Sequence, residues 1–211
     1  MDGVLIDSEV HWYKMSYKFL KGLTPLWNRE YHRNIIGMNA INFYNYIKDN
    51  FNISLTLEQF TEKYQEISRQ VYTKECSLLP GTMDLLELFR DKGIPMAIAS
   101  SSPSKWINSV LDRFSLRGFF PTVISGEDAG INGKPNPAIF LMAARKLDVR
   151  SDRCLVIEDS ENGVSAAKAA GMKCIGLTAV NMVRQDLSRA DLVVDEIGEL
   201  FAKQEFLRMI S

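Results

Sequence analysis

Cys154-Leu155-Val156-Ile157-Glu158-Asp159 is a short apolar run that stops on two adjacent carboxylates. A run without in–out alternation suits a strand covered on both faces, as the strands of parallel sheets are. The same form recurs on either side. Ile94 to Ala99 is apolar and ends in Ser100-Ser101-Ser102, and Thr122-Val123-Ile124-Ser125 is followed by Gly126. Lys173 to Leu177 and Leu192 to Val194 are two more such runs. Between them, Met83 to Phe89, Ile139 to Leu147 and Val164 to Ala170 carry apolar residues at helical spacing, and Gly171 is a helix stop for the last. Alternation of this kind predicts an α/β fold with a right-handed, doubly wound parallel sheet. Such sheets bind ligands beyond the carboxyl ends of their strands. Ser100-Ser101-Ser102 and Glu158-Asp159 both stand at such ends.

Residues 9–77 follow another pattern. Trp12, Met15, Phe19 and Leu20 recur at helical spacing, as do Phe43, Tyr44, Ile47 and Phe51, and a third pattern runs from Phe60 to Tyr72. The segment contains no strand-like run, so an all-helical insertion is expected, with its aromatics forming a core. Pro80-Gly81 marks the return to the α/β part.

Composition narrows the classes. The chain has 211 residues, 46% of them hydrophobic, and a formal net charge of -1, which suits one core with an insertion. There is no basic stripe of the kind that binds nucleic acid, and no apolar run of membrane-spanning length. Cys76, Cys154 and Cys174 are widely spaced and form no C-x-x-C pair, which suits reduced thiols in a cytoplasmic protein.

Several segments carry polar groups suited to chemistry. Asp2-Gly3-Val4-Leu5-Ile6-Asp7-Ser8 opens the chain, and Ser100 closes an apolar run where a hydroxyl and nearby N–H groups can hold an anionic oxygen. Lys134 stands in Gly133-Lys134-Pro135-Asn136-Pro137, whose prolines would fix the chain just before a helix. Adjacent Glu158 and Asp159 repel unless a cation or donors compensate. Each segment also has a plainer reading. Asp7-Ser8 could cap a helix, Ser102 or Ser104 could cap another, Lys134 could lie on the surface, and Glu158-Asp159 could be an acidic helix start.

Taken in order, these segments resemble the motifs of the haloacid dehalogenase superfamily. The helical stretch after the first resembles the branch with an α-helical cap, the β-phosphoglucomutase-like and sugar-phosphate phosphatase group. The resemblance implies a Rossmann-like core of residues 1–8 and 78–211, and a cap of residues 9–77 that opens and closes about segments near Ser8 and Leu79. It implies a Mg2+-dependent phosphohydrolase acting through an aspartyl-phosphate on a small phosphorylated metabolite, such as a sugar phosphate. Asp2 would be the acid–base group, its main-chain carbonyl a metal ligand, and Gly3 the turn that positions it. Ser100, Ser101 and Lys134 would bind the phosphoryl group, with Asp159 on the metal and Glu158 supporting it. Ala138 departs from the usual Asp of the lysine motif.

The motif is usually Asp-x-Asp-Gly, and Met1 falls on its x. The resemblance therefore leads us to expect the nucleophilic aspartate directly before Met1, ending a strand that lies between those ending at Ser100 and Glu158. Were Met1 a true terminus, its ammonium would sit near the vacant carboxylate position, with weak magnesium binding and no aspartyl-phosphate. Other readings are a β-phosphoglucomutase-like phosphomutase or an inactive phosphometabolite-binding protein. Mutases of the group use a cap arginine shortly after a glycine; after Gly37 this chain has Met38-Asn39-Ala40-Ile41, and Arg33 precedes the glycine. Dehalogenation would leave Asp2 and Glu158-Asp159 without purpose. Nothing singles out Lys14, Lys18 or Lys21 as the Schiff base of a phosphonate-cleaving enzyme. His11, near the hinge, is a candidate to reach substrate. The oligomeric state has no signature in the sequence.

Overall fold

A computed structural model describes residues 1–35, 40–128, 133–178 and 184–211, with the side chains of residues 33, 34 and 40 also outside the description. The helical part comprises α1 (Ser8–Leu23), α2 (Arg29–Asn34), α3 (Ala40–Phe51) and α4 (Leu57–Gln70), the last running into a single π-helical turn, Val71–Glu75. The α/β part follows as α5 (Thr82–Asp91), β1 (Ala97–Ser100), α6 (Ser104–Arg113), β2 (Thr122–Ser125), α7 (Ala138–Lys146), β3 (Leu155–Glu158), α8 (Glu161–Ala169), β4 (Lys173–Leu177) and β5 (Leu192–Val194). The short helices α9 (Ile197–Leu200) and α10 (Gln204–Met209) close the chain.

Among the described residues the pairs formed by β1 to β5 are parallel, in keeping with the continuous apolar runs. The register pairs Ser100 with Ser125 and Glu158 with Gly176, which aligns the polar strand ends. Hydrogen bonding divides the strands into a β1–β2 pair and a β3–β4–β5 sheet. A common apolar cluster spans this divide: Ile124, Ala97 and Ala99 of the first pair pack with Ile139, Phe140, Val156, Val164 and Cys174 beneath α7 and α8. β1 starts later than its apolar run. Pro95 has no N–H, and the Ile94 N–H is already donated to Phe89 O at the end of α5 (2.9 Å).

The chain enters and leaves the helical part side by side. Asp7 N donates to Ser77 O (3.1 Å), Ser77 N to the Asp7 carboxylate (2.6 Å), and Leu79 N to Leu5 O (2.9 Å). Asp7 precedes α1 but makes no side-chain cap there, so its carboxylate serves the neighbouring segment instead. In place of the alternative reading of Asp7-Ser8 as a helix cap, Asp7 makes a long-range tie.

The aromatics of the helical part do form a core, with Trp27, Phe43, Tyr44 and Phe60 buried together. α4 starts on a capping box, in which Thr56 Oγ1 accepts from Gln59 N and the Gln59 side chain accepts from Thr56 N. His32 is buried beside Trp27. Trp27 Nε1 donates to His32 Nδ1 (3.3 Å), which leaves the ring proton on Nε2, facing Ser16 Oγ at 3.4 Å. Ser16 in turn donates to Trp12 O, and the Tyr13 and Tyr17 rings close over the imidazole. A second ring proton would meet the Trp27 N–H head-on.

Burial accordingly lowers the His32 pKa from 6.5 to about 4. A depressed histidine pKa contributes stability that is present above the unfolded value and lost as pH falls. The helical part should weaken between pH 6.5 and 4, by up to about 3 kcal/mol. Hydrogen exchange of α1 and α2 with Trp27 fluorescence reads this, and His32→Gln should flatten the dependence. Equal protection at pH 7 and pH 4.5 in the wild type would count against it.

Candidate active site

β3 delivers Glu158 and then Asp159 to the carboxyl end of the sheet, and both are buried. Glu158 forms an ion pair with Lys134 and accepts from Ser160 Oγ (2.9 Å). Burial raises its pKa, but the charge and hydrogen bond of Lys134 outweigh this and hold it below the ordinary value. Lys134 also donates to Ala99 O of β1 (3.4 Å), and its ammonium lies 4.8 Å from the Phe140 ring centre. One ammonium therefore bridges the ends of the two strand groups. Ser160 caps α8 by accepting from Gly163 N (3.1 Å). The Glu158 carboxylate lies over Gly163 so closely that a Cβ there would fall 1.9 Å from Oε2.

Asp159 has the opposite electrostatic setting. Burial, and then the charges of Glu158 and Glu9, push its carboxyl well above the usual range. Its Oδ2 lies where a Cβ on Gly3 would stand, 1.9 Å away, and Gly3 has φ +64°. Only glycine meets both demands. The turn formed by Gly3 carries Asp2, which accepts from Ser8 Oγ at Oδ1 (2.6 Å) and from Ser102 Oγ at Oδ2 (2.7 Å). Glu9, in the first turn of α1, also has a raised pKa, through burial and then the charge of Asp2.

The structure thus gathers Asp2, Lys134, Glu158 and Asp159 at the ends of β1 and β3. Ser100 is buried at the end of β1, where its Oγ accepts from Ser102 N (3.1 Å), while Ser101 is exposed. In the sequence Ser102 belongs to the strand-end serine cluster and is also a possible helix cap. Its hydroxyl instead binds Asp2, and α6 follows Pro103 without a side-chain cap. Ser8, Ser102 and Glu9 are site neighbours to which the motif resemblance assigns no part in the chemistry. The run of three serines was the visible signal for Ser102. His11 is 3.7 Å from Asp7, one helical turn away. Lys14, Lys18 and Lys21 are exposed, and Lys21 binds the carbonyls of Pro25 and Trp27. Gly37, Met38 and Asn39, where a mutase arginine was sought, lie outside the described residues.

The family model described as haloacid dehalogenase-like hydrolase matches residues 1–177. The chain belongs to this family. Among curated relatives of this hydrolase is a phosphorylated carbohydrates phosphatase of Thermotoga maritima, 30% identical over 175 residues, covering 83% of this chain and 81% of the relative. Hexitol phosphatase B of Escherichia coli is 29% identical over 208 residues, covering 96% and 92% of the two chains. Among solved structures, that of a protein described as a β-phosphoglucomutase from Thermotoga maritima superposes with a TM-score of 0.79 at 28% identity, covering 97% and 96%. Residues 1–177 contain Asp2, Ser100, Lys134, Glu158 and Asp159, so the family match spans the gathered site.

The hydrolase site is strongly acidic, with Asp2, Glu9, Glu158 and Asp159 acting on one another and Lys134 as a close cation. This oxygen-rich, electron-dense setting fits Mg2+, which keeps several of its own waters and needs only one or two direct carboxylates. It is no closed cage: among the described residues, no three of His, Cys, Asp and Glu converge on one ion position. No helix among the described residues is long and apolar enough to cross a membrane.

Gly163→Ala should force the Glu158 carboxylate off Lys134. Separating a buried pair makes a loss of about 3 kcal/mol the expected result in urea denaturation. The exposed neighbour Asn162→Ala should stay within about 0.5 kcal/mol. Equal unfolding midpoints for the two variants would refute the close approach.

Proposed function

We propose that this hydrolase is a Mg2+-dependent phosphatase of a small phosphorylated metabolite, with sugar and hexitol phosphates as the first candidates. The observation that carries the reading is the buried convergence of Lys134, Glu158 and Asp159 with Asp2 at the strand ends. A dianionic phosphoryl group needs positive charge and donors, and the site has Lys134, the Ser100 hydroxyl and strand-end N–H groups to offer. The names of the Thermotoga maritima and Escherichia coli relatives agree with this substrate class. We further assign residues 9–77 as the cap that covers the substrate, with 1–8 and 78–211 as the core.

In this reading, the attacking carboxylate belongs to an aspartate immediately before Met1, in keeping with the Asp-x-Asp-Gly spacing. One of its oxygens bonds to phosphorus as the ester P–O bond breaks, and Asp2 gives its carboxyl proton to the departing substrate oxygen. Asp2 then takes a proton from water, whose oxygen attacks phosphorus and releases phosphate with the nucleophile restored. Ser8 and Ser102 hold both Asp2 oxygens through these exchanges. Lys134 balances charge on the phosphoryl oxygens, and Glu158 keeps the amine at that place. Asp159 and the Asp2 carbonyl would hold Mg2+, which when bound would offset the remaining negative charge.

The test is phosphate release from a panel of pentose, hexose and hexitol phosphates, with and without Mg2+, using the chain preceded by an apolar strand and aspartate in the Asp-x-Asp-Gly spacing. Metal-dependent release is expected, with Lys134→Ala lowering kcat by at least about 100-fold. Conversion of a hexose 1-phosphate to its 6-phosphate without net release would indicate a mutase instead. Binding without turnover of any kind would indicate a phosphometabolite-binding protein.

A further inference from the structure

Ser125 is the last residue of β2 and lies opposite Ser100 in the parallel register. Only 1% of it is exposed. A buried hydroxyl needs partners, and this one has two. Ser125 Oγ accepts from Glu127 N (3.2 Å), which leaves its own proton for an acceptor. Ser102 O lies 2.8 Å away. A carbonyl only accepts, so Ser125 is the donor of this bond. The Ser125 backbone is fixed in turn, its N–H donated to Asp128 Oδ2 (2.9 Å).

Ser102 has every polar atom engaged. Its N–H goes to Ser100 Oγ (3.1 Å), its carbonyl takes the Ser125 proton, and its hydroxyl goes to Asp2 Oδ2 (2.7 Å). The two peptide planes that flank Ser102 are therefore each tied, which fixes φ and ψ there and the direction of its Cα–Cβ bond. Pro103 follows and has no N–H with which to add a tie of its own. The neighbouring loop is held as closely. Gly126 N donates to Ser100 O (2.8 Å), and a Cβ on Gly126 would meet Ser101 O at 3.0 Å and Ser101 Cα at 3.1 Å. Residues 100–102 are thus laid against the end of β2, and the Ser102 hydroxyl reaches from there to Asp2.

We propose that Ser125 is a positioning residue for the Asp2 carboxylate, acting through Ser102. The role rests on the reading of Asp2 as the acid–base group. Without the Ser125 donor, the peptide between Ser102 and Pro103 loses its tie, and the Ser102 hydroxyl meets Asp2 from a range of directions. Asp2 then keeps one fixed donor, Ser8 at Oδ1. A small error of aim costs proton transfer more than it costs binding. The bond from Gly126 N to Ser100 O does not use the Ser125 hydroxyl, so Ser100 keeps its place for the phosphoryl group.

Two readouts separate this role from a purely structural one. The first is kinetic, on the chain preceded by an apolar strand and aspartate in the Asp-x-Asp-Gly spacing. Ser125→Ala should lower kcat about tenfold while KM stays within about twofold. Ser102→Ala should do the same. The double variant Ser102→Ala/Ser125→Ala should be no slower than Ser102→Ala alone, because residues acting through one contact are not additive. A packing role for Ser125 would multiply the two losses instead. The second readout needs no turnover. In 13C NMR of the 211-residue chain, Ser125→Ala should shift the Asp2 carboxyl resonance, and should leave it unmoved in the Ser102→Ala background.

Multiplied losses in the double variant overturn the proposal. So do wild-type kcat in either single variant and an Asp2 resonance indifferent to Ser125→Ala. A wild type without turnover, together with the Ser102-dependent shift, would overturn the phosphatase reading and leave the tie from Ser125 through Ser102 to Asp2 standing.

Discussion

The contact on which the rest of the site depends is the buried pair of Lys134 and Glu158. It joins the ends of β3 and, through Ala99 O, β1, across a boundary that strand hydrogen bonding does not cross. A buried pair is stable only when both charges keep good partners. The surrounding sequence serves that requirement. Ser160 adds a donor to the carboxylate, Gly163 leaves room for it, and Phe140 at the start of α7 lies under the ammonium. The helix that carries Phe140 also packs on the apolar cluster common to both strand groups, so the polar join rests on a shared core.

With Lys134 committed to Glu158, the charge balance of the remaining site is set. Asp159, Asp2 and Glu9 repel one another through a partly buried space. Repulsion of this kind is a burden on folding unless a cation or hydrogen-bond donors compensate it. Glycine at position 3 has the matching logic. It allows the two acidic segments to approach until Asp159 nearly touches the turn that carries Asp2.

Much of this was legible from residue order. Strands buried on both faces leave unbroken apolar runs, so β2, β4 and β5 stand where Thr122, Lys173 and Leu192 begin their runs. The start of β1 was obscured because Ile94 belongs to the end of α5 by its hydrogen bond, and Pro95 cannot join a ladder. Side-chain partners far apart in sequence were the least visible. Asp7 looks like a helix cap until Ser77 appears beside it, and Ser102 looks like one until Asp2 does. Tyr72 carried no local signal, because its place depends on a π turn and on Trp12, 60 positions earlier, whose indole N–H its hydroxyl accepts. His32 was equally silent, since only folding brings Trp27 and Ser16 to its two nitrogens.

The side-by-side entry and exit at Asp7 and Ser77 make the intervening helices a loop whose ends already touch. Closing such a loop has an entropic cost that grows only slowly with its length. Another helical cassette of different size or lining could be spliced between the same two residues while the α/β scaffold keeps its chain path. The α/β scaffold and the helical part are therefore independent in chain path, and a change of length in one leaves the route of the other as it was.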